Sequence, residues 1–189
     1  MVSKTRVAGI SIFHPAHPGL PVPVRPREGK DEVRRSLLLM DLKVNKSVRN
    51  MSSVRAGSLW LHGFIDDAHK IAQDDTSVEG SYWHALVHRS EGDFDNSLYW
   101  FGRVGRHPIF PELRARLVAL AGDFTKGGSA ETLRAILSVR KWEPERFVEL
   151  CRAAHASRVT SIDFLQRISA EEYDLLMAYC LGSEISVEE

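Results

Sequence analysis

The stretch LWLHGFIDDAHKIAQDDTSVEGSYWHALVHRSE, residues 59–91, is written in two helical registers joined by a short polar turn. At about 100° per residue, His62, Asp66, His69 and Gln73 fall on one narrow stripe of a helix. Leu61, Phe64, Ile65, Ala68 and Ala72 form an apolar face beside it. The second half repeats the device: His84, His88 and Glu91 share a stripe, with Trp83, Leu86 and Val87 alongside. The connection at 74–80 is short enough to fold the two helices back on each other. An antiparallel pairing then brings His69 level with His84, Asp66 with His88, and His62 with Glu91.

Two matched polar stripes admit two chemistries. Neutral imidazoles one helical turn apart chelate a transition metal, and a bundle interior can add carboxylates. In that reading His69, His84 and His88 are ligands to a divalent zinc, iron or manganese ion, and His62 or Asp66 completes the shell. Glu91 is then the catalytic base or an outer partner, with Asp66 the second catalytic carboxylate. The alternative is a non-catalytic interaction domain in which the same side chains form a ladder of structural hydrogen bonds. A third arrangement points the stripes into water. The zincin motif is absent, because no glutamate follows the first histidine.

The following residues, GDFDNSLYWFGRVGRHPIF (92–110), complete a hairpin with the preceding helix. Ala85, the Gly92-Asp93-Phe94 turn, Ser97, Phe101, Val104 and Pro108 make it resemble one tetratricopeptide-like unit. His84 and His88 depart from that pattern, and no second copy follows at a 34-residue spacing. The longer run 59–110 also resembles a family of small bacterial and fungal proteins without an assigned activity. Its core is Tyr-Trp-His-x-x-x-His-Arg, here 82–89, followed by Tyr-Trp-Phe at 99–101 and Gly-x-His-Pro at 105–108, with a weaker echo in WEPERFVELC (142–151). That resemblance implies kinship and no chemistry. Tyr99, Trp100 and Phe101 read as core or stacking residues, Arg103 as a surface ion pair, and His107 as a loop histidine near the His84 end.

Working outward, helical spacing starts at Asp31, a candidate N-cap, and runs through Val33, Leu37, Met40 and Val44. A polar connection, NKSVRNMSS, separates it from a helix over 58–73 capped by Ser58. Further helices are expected over 81–91, 95–105 (capped by Asp95), 111–121, 129–140 and 144–156, and over a last pair, 161–168 and 170–181. Ser169 and Glu172 suggest a capping box splitting that pair, and Gly182 a C-terminal stop. Five of the eight prolines lie in 14–26, which forbids helix there. The expected fold is therefore all-α: a compact multi-helix bundle of antiparallel hairpins over 31–189, one domain, behind an extended Pro-rich leader at 1–30.

Composition bounds the function. The chain of 189 residues is 43% hydrophobic, enough to bury a core. Zero net charge argues against nucleic acid as partner, leaving a protein or a small molecule. Residues 1–55 carry eleven Lys or Arg against four Asp or Glu, so a basic arm precedes an acidic body. The arm either docks on that body or meets a phosphate-rich surface. No run suits a transmembrane helix or a secretion signal, and Cys151 and Cys180 lack metal or disulfide spacing, so a reducing, cytoplasmic setting is expected. Phosphate loops, the Gly-x-Ser-x-Gly elbow and dinucleotide fingerprints are absent.

Overall fold

A computed structural model describes residues 6–7, 10–11, 30–40, 48–120, 134, 136–157 and 162–183. Eight helices are found among them: α1 Asp31–Leu38, α2 Met51–Leu61, α3 Ile65–Asp74, α4 Val78–Glu91, α5 Phe94–Val104, α6 Ile109–Leu120, α7 Pro144–Ser157 and α8 Ile162–Cys180. The fold is all-α, a compact bundle of consecutive helical hairpins. In the leader, Arg6–Val7 pairs antiparallel with Ile10–Ser11. The proline run at 14–26 and most of the helix expected over 129–140 lie outside the described residues, although 134, 136 and 137 are helical. None of the described helices is long and apolar enough to cross a membrane.

Helix α4 is the axis of the bundle. Every residue from Gly80 to Ser90 is buried, because α2, α3 and α5 all pack against it. A helix buried all round must satisfy its polar side chains from within. Ser90 Oγ accepts from Trp60 Nε1 at 2.8 Å and donates to the Leu86 carbonyl at 2.9 Å. Ser97 of α5 donates to the Ala85 carbonyl at 2.9 Å, which draws α5 close to α4. Arg89 is paired with Glu172 of α8, which also accepts from the Tyr82 hydroxyl at 2.9 Å. Around these lie Trp60, Trp83 and Tyr173, with Tyr173 stacked on Trp60 at 5.6 Å and edge-on to Trp83 at 5.5 Å. Helix α7 packs on α5, and α8 on α6 and α2.

Four local expectations are corrected. The helix expected over 58–73 is two helices. The first begins at Met51, where the Asn50 side chain accepts from the Ser53 amide at 2.9 Å; Ser58 is a buried interior residue donating to the Val54 carbonyl at 2.7 Å. It stops at Leu61, because Gly63 turns the chain with φ +84° before α3 restarts at Ile65. The last pair of helices is one. Helix α8 runs unbroken through Ser169, since Glu172 is claimed by Arg89 and Tyr82 and does not cap. Finally, α5 is capped by Asp93, whose carboxylate accepts from the Asn96 amide at 3.3 Å, and Asp95 sits in its first turn. Similarly, Lys30 is the N-cap of α1 and Asp31 its first residue. The C-terminal stop at Gly182 (φ +90°) holds: the Ser183 and Gly182 amides reach back to the Ala178 and Tyr179 carbonyls.

Candidate metal centre

The connection between α3 and α4 is three residues, Asp75 to Ser77. Ser77 caps α4 by accepting from the Gly80 amide at 2.9 Å. The turn is tied to the start of α2 through Asp75, which accepts from Ser53 Oγ at 2.8 Å and Asn50 Nδ2 at 3.0 Å. This anchor sets how α3 lies along α4. Ile65, Ala68 and Ala72 fill the buried face of α3, and His69, next to that face, is directed at α4.

There it meets His84 and His88. His69 Nε2 lies 2.8 Å from His84 Nε2, and its ring is 4.6 Å from the His84 ring and 4.8 Å from that of His88. One potential ligand atom from each of the three lies within 4.8 Å of the others. Three nitrogens bound to one zinc ion at about 2.0–2.1 Å sit about 3.3 Å apart in a tetrahedral arrangement. The observed separations, from 2.8 Å to at most 4.8 Å, bracket that spacing. His84 is stacked between Trp100, 4.0 Å away, and His88, 4.8 Å away.

Electrostatics keep these rings in the ligand form. Burial, reinforced by the His69 and His88 rings, pushes the His84 pKa down to about 4. Burial also lowers His88, with His69 adding to the effect and Asp93 and Glu91 opposing it. Both rings are therefore neutral at pH 7, with a lone pair to give. His84 Nδ1 and His88 Nδ1 are buried and make no hydrogen bond among the described residues. Two carboxylates border the group. Glu91 Oε2 is 3.9 Å from His69 Nδ1 and 3.8 Å from His88 Nδ1, and Asp93 Oδ2 is 3.6 Å from His88 Nδ1. The Glu91 side chain is 24% exposed and that of Asp93 44%, so the group opens to solvent on the side where α4 ends.

Three of the four expected histidines are thus brought together, with Glu91 beside them. His62 and Asp66 are not in the group. His62 is the C-cap of α2, on the far side of the Gly63 break, and Asp66 is exposed in the first turn of α3. The stripe from His62 to His69 required one helix, which the positive φ at Gly63 interrupts; Asp66 shares α3 with His69 but is exposed. His107 is not part of the group either. It is buried against Tyr82, Phe110 and Tyr179, and its Nδ1 accepts from the Ile109 amide at 3.3 Å. Sequence reading missed Asp93, which looked like a turn residue, and Trp100 as the cover over His84. The i, i+16 relation of Trp100 to His84 has no periodic signature; only the α4–α5 packing makes it.

The chain was compared with protein-family models, curated proteins and solved structures, and it matches none of them.

Proposed function

We propose that this protein binds a divalent transition-metal ion, of the zinc, iron or manganese class, between α3 and α4 through His69, His84 and His88. The supporting observation is the convergence of three imidazoles, two of them held neutral by burial and each of these two with a buried nitrogen that makes no hydrogen bond among the described residues. Three protein nitrogens leave a coordination position open, as in catalytic zinc sites where a bound water loses a proton near neutral pH. Glu91, next to two of the rings and partly exposed, serves as the base or as the carboxylate that orients His69 and His88. The reduced, buried Cys151 and Cys180 fit a cytoplasmic protein. The resemblance of 59–110 to the bacterial and fungal family would make this histidine group a family feature.

Elemental analysis of protein made without a histidine tag tests the reading. Near-stoichiometric metal is expected, with a melting temperature that rises with added ion and falls in chelator. That sensitivity must vanish in His84→Ala and in His88→Ala. Metal-free protein whose melting ignores chelator refutes it.

One observation favours the second reading, a non-catalytic interaction domain. The 2.8 Å approach of His69 Nε2 to His84 Nε2 is a complete hydrogen bond on its own. In that case each His→Ala change costs about 1–3 kcal/mol with no chelator effect. Tyr99, 59% exposed next to Trp100, would then belong to the contact surface of a protein partner.

A further inference from the structure

A cavity lies between the start of α6 and the start of α7, and it uses no residue of the histidine group. Its volume is about 430 Å³, within the range of small-molecule sites. Its walls are apolar and aromatic: Phe110 and Pro111 from the first turn of α6, and the buried Trp142 just before α7. Its rim is cationic. Arg106, Arg114, Arg140 and Lys141 all line it, against two acids, Glu143 and Glu145. Glu143 is already committed, accepting from Arg146 Nε at 2.5 Å. Arg114 donates its Nε to the Val139 carbonyl at 3.2 Å, which steadies the guanidinium and leaves its terminal nitrogens available. Arg106, Arg140 and Lys141 are exposed and enter no ion pair among the described residues.

Like charges around a low-dielectric hollow repel one another, and an anion placed among them relieves that repulsion. His107 also lines the cavity. His107 Nδ1 accepts from the Ile109 amide, so the neutral ring carries its proton on Nε2. That nitrogen is buried and makes no hydrogen bond among the described residues; the Glu79 carboxylate stands 3.9 Å away.

We infer that this cavity binds a small anion with a flat apolar body, an aromatic carboxylate or phosphomonoester. Its ring packs against Phe110 and Trp142, and its charge is met by the arginine and lysine rim. The inference does not depend on the metal reading. Titration calorimetry of the full chain, with and without chelator, tests it using phenyl phosphate, benzoate, inorganic phosphate and benzylamine. At least one aromatic anion binds at one site per chain, more weakly as salt rises, and the stronger of the two identifies the head group. Inorganic phosphate binds at least about tenfold more weakly, lacking the ring, and benzylamine does not bind. The exposed double substitution Arg140→Glu/Lys141→Glu weakens binding by about tenfold or more while melting and metal content are unchanged. Four results overturn the inference: no binding of either aromatic anion, equal binding of benzylamine, inorganic phosphate as tight as phenyl phosphate, or a double variant that binds like wild type.

Discussion

Replacing Glu172 with glutamine removes one charge and almost no volume from the middle of the bundle. Arg89 and Glu172 are 1% and 0% exposed, so neither charge has water to fall back on. The arginine sits on the Phe147 ring at 4.6 Å, and its Nη1 makes no hydrogen bond among the described residues. Burial works to lower the Arg89 pKa, yet it is raised on balance, first by the Glu172 carboxylate and then by Cys151 and Tyr82. Glu172 is therefore the main group that makes a buried guanidinium tolerable. The amide can still accept from Tyr82, so the loss is that of the charge partner, about 3–5 kcal/mol for breaking a buried pair on one side. That is a large share of the roughly 5–15 kcal/mol that holds an ordinary domain together. Urea unfolding followed by circular dichroism reads it directly. With a slope of about 2 kcal/mol per molar, the midpoint falls by about 1.5–2.5 M. A second arm separates the pair from the packing: Arg89→Met/Glu172→Leu recovers most of the loss, because replacing a whole buried pair by apolar groups is often neutral or better. A Glu172→Gln midpoint within about 0.3 M of wild type would refute the reasoning.

The remaining predictions concern acid and packing. Burial holds His107 down at about 4, so between pH 6.5 and 4 the unfolded chain takes up a proton there that the folded chain refuses. Stability contributed by neutral His107 is complete above about pH 6.5 and is lost as pH falls, by about 2–3 kcal/mol at pH 4.5. Wild type and His107→Gln unfolded in urea at pH 7 and pH 4.5 should differ in that pH dependence; equal slopes reject it. Gly57 faces the core with no room for a methyl: an added Cβ would lie 2.5 Å from Trp83 Cζ2 and 2.8 Å from Met177 Cε. Gly57→Ala should therefore lower stability by about 1–3 kcal/mol through overpacking, outweighing the roughly 1 kcal/mol that alanine gains in a helix. A raised melting temperature would contradict it.

The sequence alone carried the all-α class, the hairpin around 74–80, and the pairing of His69 with His84, because each rests on short-range signals. Helical periodicity is local, and Gly92, Pro144 and Gly182 mark termini through their own backbone chemistry. A short connection, expected over 74–80 and only three residues in the structure, leaves two helices little choice of register, so facing positions could be read from residue numbers. What failed were the places where a distant partner outweighs a local preference. Ser169 and Glu172 spell a capping box, yet Glu172 is held by Arg89 and Tyr82, 83 and 90 positions away, and the helix passes straight through. Gly63 sits inside an amphipathic pattern that tolerates a glycine, and its positive φ marks the break that takes His62 off the stripe, while Asp66 stays on α3 with His69 but is exposed. The His84 cover by Trp100, the Asp93 carboxylate beside His88 and the cationic cavity between α6 and α7 likewise exist only after packing. Side-chain periodicity records which face of a helix is turned inward. It holds no record of which residue, tens of positions away, will be waiting there, and that is decided by how the helices share a single core.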